Sequence, residues 1–200
     1  MKKNNLTPQG SKKELTDVKN KSRQPNESSS LKTFFVNELK DIYWAEKHLL
    51  KTLPVLERAA TTKPLAQAFA SHLKETEKQV GALEKIFGLL EEKIQAKKCD
   101  AMEGITKEAE MIIDETDDGT FTRDVGLILA AQKIEHYEIT TYGSLSHIAR
   151  TLGETEVTKL LQGILKEEKE ADKSLTQIAE DHVYESALLE SEEEWEDAEE

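Results

Sequence analysis

The sequence predicts an all-α protein built as an antiparallel four-helix bundle. Four long blocks carry apolar residues at alternating steps of three and four, the spacing of one buried helix face. Short connections join the first block to the second and the third to the fourth, which makes each pair an antiparallel hairpin. Strand-type alternation is absent. Each block has about thirty residues and as a helix spans roughly 45 Å.

The first helix is expected from Leu31 to Ala60, with Ser30 as its N-cap and a stripe of Phe35, Leu39, Ile42, Leu49, Leu53 and Leu56. Pro54 removes one backbone hydrogen bond and predicts a kink. The turn Thr61–Pro64 leads into a second helix from Pro64 to about Ala96, with Leu65, Phe69, Leu83, Ile86 and Leu90 inward. Residues 97–120 read as a crossover with one short helix, Ile105 to Ile113, closed by Asp117, Asp118 and Gly119. The third helix runs from Thr120 to Leu152 and stops at Gly153, a left-handed cap. The fourth runs from Glu154 to Val183. On either side of this bundle, residues 30–184, lie a basic arm (1–29) that reads as disordered and an acidic tail (185–200) that reads as a solvated extension.

Composition narrows the function classes. The formal charge is −13, and nine acids without a base fall in the last sixteen residues. This balance argues against nucleic-acid binding, and a solubilising arm accounts for Lys2, Lys3, Lys12, Lys13, Lys19, Lys21 and Arg23. No apolar run approaches the ~20 residues that span a bilayer, and the N-terminus has no secretory h-region. Cys99 is the only cysteine, so no intrachain disulfide forms, and a cytoplasmic location is expected. Phosphate loops, dinucleotide-binding glycine patterns and nucleophile elbows are absent.

The chemistry lies in what interrupts the apolar stripes. The first helix passes from Ile42 to Leu49 through Glu46. The second passes from Phe69 to Leu83 through His72, Glu75 or Thr76, and Gln79. The third reaches Leu145 through Glu135, Glu138 and Tyr142, and the fourth passes through Glu168 with Asp172 one turn on. All these positions lie mid-helix, so an antiparallel bundle brings them to one level. No inward Lys or Arg neutralises them, and an unpaired buried carboxylate costs several kcal/mol. The acids must take up protons, share water, or bind one or two divalent cations. Oxygen donors with one nitrogen suit iron(II), manganese(II), magnesium or calcium.

The bland alternative for any one glutamate is an interface edge with its head in water. Four helices making the same exception at the same height is the argument against it. His72 could equally be a satisfied core histidine, and Tyr142 a core residue rather than a donor to Glu138. His48, His136, His147 and His182 fall off the stripes and read as solvated. Cys99 reads as a loop bystander.

Four blocks carry a family resemblance: LKDIYWAEKHLLKTLPVLERAA, FASHLKETEKQVGALEKIF, QKIEHYEITTYGSLSHIARTLG and LLQGILKEEKEADKSL. In order and spacing they resemble the YciE/YciF family of stress-associated, ferritin-like proteins related to rubrerythrin. The resemblance covers residues 31–183. It implies a ferritin-like bundle, a homodimer and a link to stress. Glu135-His136-Tyr137-Glu138 resembles the E-x-x-E ligand motif of that kind of protein, and Glu168 falls where a fourth-helix ligand sits. The Glu-x-x-His patterns of di-iron bundles are missing, since the second helix reads Glu75-Thr76-Glu77-Lys78 and the fourth Glu168-Lys169-Glu170-Ala171. His72 and Asp172 stand as substitutes.

Two functions follow as expectations. In the first, Glu46, Glu75, Glu138 and Glu168 hold iron or manganese, as one ion or a dinuclear centre. Glu135, Asp172 and His72 complete the site, with Tyr142 and Gln79 as supporting donors. Peroxide or oxygen is then the small substrate, and whether any reaction is turned over is left open. In the second, the chain is a non-catalytic dimeric scaffold with a structural polar core.

Overall fold

The structure is a computed structural model and describes residues 29–197, with side chains through Glu190. The elements are α1 (Ser30–Ala59), α2 (Lys63–Leu89), α3 (Asp100–Glu115), α4 (Phe121–Leu152) and α5 (Thr155–Ile178). A π-helical turn, Ala179–Val183, joins α5 to α6 (Tyr184–Asp197). The described residues contain no strand. None of their helices is long and apolar enough to cross a membrane.

The apolar stripes meet along one axis. The helices α1, α2, α5 and α4 form a closed ring, each packed on the next, with α3 laid outside against α1 and α4. Phe35, Leu39, Ile42, Leu83, Ile86 and Phe87 fill one end of the core, and Leu56, Leu65, Phe69 and Leu127 the other. The long crossover carries the chain back along the bundle. It starts beside α1, where the Lys97 amide donates to the Lys40 carbonyl at 2.9 Å. It ends where buried Arg123 donates to the Ile113 carbonyl at 3.1 Å and to the Thr116 carbonyl. A Cβ on Gly126 would lie 2.5 Å from Ile112 Cγ2, so glycine there is what lets α3 approach α4.

The caps match the helix ends closely. Ser29, one residue before the expected cap, accepts from the Lys32 amide at 3.2 Å. Thr120 caps α4, and Gly153 ends it at φ +84°. Thr62 at the start of α2 makes no side-chain cap bond. The buried Asp124 carboxylate supplies one from across the bundle, accepting from the Thr61 amide at 2.7 Å and the Thr62 amide at 2.8 Å. This ties the α1–α2 turn to the start of α4.

Two expectations about helix bounds are corrected. The second helix ends at Leu89, not Ala96, because the apolar stripe runs out at Leu90 and Glu91 turns to φ +58°. The crossover helix is longer than Ile105–Ile113, because Met102, Thr106 and Ala109 give it a buried face from its first turn. The acidic tail, with no buried residue among its described side chains, begins as the helix α6. The π-turn keeps Ala179 and Val183 buried, and Glu190 accepts from the Phe121 and Thr122 amides at 2.7 and 3.1 Å. That carboxylate sits where the α4 dipole favours an anion. The expected arm lies outside the described residues, apart from Ser29.

Asp124→Ala removes a buried carboxylate's bonds to two amides of a half-buried turn and should cost about 2 kcal/mol in urea unfolding, whereas the Glu190-to-α4 contacts at the bundle edge should be worth less than about 1 kcal/mol when Glu190→Ala is measured the same way.

Candidate metal centre

Each long helix delivers its polar side chain by continuing its apolar spacing. On α2 the buried series is Leu65, Phe69, His72, Thr76, Gln79, Leu83 and Ile86. On α4 it passes through Ala131, Glu135, Glu138, Tyr142 and Leu145. On α1, Glu46 stands between Ile42 and Leu49, and on α5, Glu168 follows Ile164. Glu46 and Glu168 are fully buried, Glu138 is 1% exposed and Glu135 2%.

Four of these side chains converge. His72, Glu135, Glu138 and Glu168 each offer a donor atom, and all four atoms lie within 4.8 Å of one another. Two donors on opposite sides of a divalent ion with bonds of about 2.1 Å are about 4.2 Å apart, so this spread suits one ion. Glu46 adjoins the group from α1. Its Oε1 accepts a hydrogen bond from the Tyr142 hydroxyl, which fixes one carboxylate oxygen. Gln79 Nε2 donates to Glu168 Oε1 at 2.6 Å and to Glu167 Oε2 at 3.1 Å.

The remaining donor atoms fit a cation. Glu46 Oε2, Glu135 Oε2, both Glu138 oxygens, Glu168 Oε2 and both His72 ring nitrogens are buried without a hydrogen-bond partner. His72 Nε2 does lie 3.4 Å from Glu135 Oε1, an ion pair when the ring is protonated. Buried polar atoms in native proteins are almost always satisfied, and a set of convergent, unsatisfied anionic oxygens is what a divalent ion would complete.

Not every predicted residue joins the group. Asp172 stays outside, 25% exposed at its side chain, with His136 Nε2 at 3.4 Å and Gln132 Nε2 at 3.3 Å. Glu75 lies at the rim, 38% exposed, with its Oε2 3.8 Å from His72 Nδ1. Thr76 takes the inward position instead and turns its hydroxyl onto the His72 carbonyl at 3.0 Å. The spacings 72–75–79 and 72–76–79 are equally helical, so it is the packing of α2 in the bundle that turns Thr76 inward rather than Glu75. Tyr142 reaches Glu46, not Glu138, because it is α1 that faces it across the core.

Two residues gain roles that the sequence did not signal. Glu167 anchors the far side of Gln79. Cys99 is buried, caps α3 by accepting from the Met102 amide at 3.4 Å, and meets the Tyr137 hydroxyl at 3.1 Å. Tyr137 in turn donates to Asp41 at 2.9 Å.

The electrostatics follow from burial and crowding. Desolvation, then the charge of Glu168, pushes the Glu46 carboxyl up to about 8, against the opposing pull of Tyr142 and His72. Burial, reinforced by neighbouring carboxylates, holds Glu138 well above the usual range. Burial does the same for Glu135 against the pull of His72, and Glu168 is raised chiefly by burial too. Burial pulls His72 down, but Glu135, Glu75, Glu168 and Glu46 outweigh it and raise the imidazole to about 9. The metal-free centre therefore carries protons at neutral pH.

A four-helix bundle with a crossover helix and a buried cluster of glutamates and one histidine places this protein in the ferritin-like class. Its family is narrower: the chain belongs to the family described as "Domain of unknown function (DUF892)", which matches residues 30–188. It is 42% identical over 162 residues to Protein YciF of Escherichia coli (strain K12), covering 79% of this chain and 95% of YciF. The crystal structure of the E. coli stress protein YciF matches with a TM-score of 0.73 and 41% identity over 76% of this chain and 96% of that one. YcfI from Rhodopseudomonas palustris matches with a TM-score of 0.72 and 34% identity over 77% of this chain and 98% of that one.

The raised values set the pH dependence. Glu46 binds a proton more tightly folded than unfolded, and so does His72, so metal-free stability is greatest in mild acid. It should fall as pH rises from the unfolded carboxylate range of about 4.3 through the folded values of about 8 and about 9. Thermal unfolding of chelator-treated protein between acid and alkaline pH checks this; a Tm that climbs steadily with pH contradicts it.

Proposed function

We propose that this is a cytoplasmic, homodimeric stress protein that binds one or two divalent ions, iron or manganese, at the centre of its bundle and uses them against peroxide or oxygen. The observation that carries the reading is the convergence of four buried donor atoms from three helices within 4.8 Å, one imidazole and three carboxylates, with a fourth carboxylate from the remaining helix beside them. Similarity to the E. coli stress protein YciF supports the stress association.

His72, Glu135, Glu138 and Glu168 would hold the first ion, and Glu46, with its free Oε2, would contribute to a second. A redox-active iron or manganese ion would supply the electron exchange with the small oxidant. The protein's own residues prepare that chemistry. Tyr142 holds Glu46 in one orientation, and Gln79 holds Glu168. Such supporting hydrogen bonds typically alter metal affinity by about 10–100-fold. The protons now on the carboxylates must leave when an ion binds, so affinity should rise with pH.

A second reading is a scaffold whose polar core is structural. It is favoured by the His72–Glu135 approach at 3.4 Å, which partly satisfies the core without an ion. YcfI, provisionally described as a structural protein, fits this reading as well.

Metal content separates the two. Full-length protein loaded anaerobically with iron(II) or manganese(II) and desalted should retain about one or two ions per chain, and a Glu46→Ala/Glu138→Ala/Glu168→Ala variant none. Tyr142→Phe should weaken loading by about tenfold or more. Asp172→Asn, outside the group, should leave it unchanged. No metal above background in the parent protein would leave the scaffold reading.

A further inference from the structure

We propose that a cleft between α2, α4 and α5, floored in part by α1, is a binding site for a small uncharged molecule the size of one aromatic ring, bound with its polar group against His72 and Glu135. The cleft has a volume of about 180 Å³. An engineered apolar cavity of about 150 Å³ is enough to take up benzene. The space is therefore far larger than peroxide or oxygen requires.

Its chemistry changes from mouth to floor. Leu53, Phe69, Ile134 and Leu175, all buried, form apolar walls. Ala68, Ala131 and Ala171 line it with single methyl groups, and those small residues are why the packed bundle leaves room here. His72 and Glu135 line its buried depth, where both imidazole nitrogens and Glu135 Oε2 lack hydrogen-bond partners. An apolar pocket with a few convergent polar atoms is the usual form of a small-molecule site, and a hydroxyl entering here finds both a donor and an acceptor.

The mouth selects by charge. Ser71, Glu170 and Ser174 are exposed there, and Glu75 and Glu167 stand beside them. Glu75, Glu167 and Glu170, the last paired with Lys166 Nζ at 3.4 Å, leave the opening net negative, which disfavours an anion and leaves neutral molecules unaffected. The same ring with a carboxylate attached should be excluded.

Binding in this cleft needs no metal. Taking the bound molecule as the compound on which the centre acts rests on the metal-binding reading above, and the two are tested separately. Phenol is the probe, with benzoate as its anionic counterpart, titrated by calorimetry into the full chain both chelator-treated and manganese-loaded. The occluding variant is Ala68→Leu/Ala171→Leu. Both positions are only partly buried and leucine is a good helix former, so the helices are kept.

Phenol is expected to saturate one site per chain in both preparations. The double variant should bind phenol at least about tenfold more weakly than the parent, and benzoate should bind the parent about tenfold more weakly than phenol. The variant's manganese loading should match the parent's. Absence of saturable phenol binding overturns the proposal, as does equal binding by parent and variant, or benzoate binding as tightly as phenol. Should the double variant fail to fold, Ala171→Leu alone is held to the same ordering. Phenol binding without metal loading would remove the metal reading and keep the cleft, and metal loading without phenol binding would do the reverse.

Discussion

Four glutamate carboxylates and one imidazole share the middle of a close-packed bundle, and the rest of the structure is organised around that burial. The one buried arginine among the described residues, Arg123, is engaged at the start of α4 with Asp118 and the last carbonyls of α3. It does not neutralise the centre. Relief must come from protons, from His72, or from a cation, and these compete for the same oxygens. A proton and a divalent ion would therefore compete for one set of atoms.

A costly middle requires firm ends. On one side of the centre the core is closed by Phe35, Leu39, Ile86 and Phe87, and on the other by Leu56, Leu65 and Leu127. Asp124 ties the α1–α2 turn to α4, while Glu190 brings α6 onto the α4 N-terminus. The crossover helix is locked through Cys99, Tyr137 and Asp41 at one end and Arg123 at the other. These contacts hold the helices in fixed register, and register is what keeps the donor atoms within a few ångströms of one another.

The centre is also asymmetric. Toward α1 it is sealed by the Tyr142–Glu46 hydrogen bond and the packing around it. Toward α2 and α5 it opens past His72 and Glu135 into the apolar cleft, with Gln79 bridging Glu168 and Glu167 alongside. One face of the cluster is thereby oriented by hydrogen bonds, and the other is left free to meet what enters.

The four-helix architecture was legible in the sequence because burial imposes a 3.6-residue period that polar interruptions do not hide. Glu46, His72, Gln79, Glu135, Glu138, Glu168 and Tyr142 could all be set on inward faces by that period alone. Periodicity is least decisive between neighbours, and there the structure chose: Thr76 rather than Glu75 turns inward, and Asp172 pairs with His136 and Gln132 at the edge. Helix ends followed the same division. Gly153 marked its own stop, but where α2 ends and whether the acidic tail is helical depended on contacts from distant parts of the chain. The sequence by itself determined which faces are buried and that acids lie among them, because that information is local and repeats every turn. Only the tertiary structure decided which donors meet, that Cys99 joins Tyr137, and that alanines from different helices leave a cleft beside the centre, because those depend on how separate helices are rotated and spaced against one another.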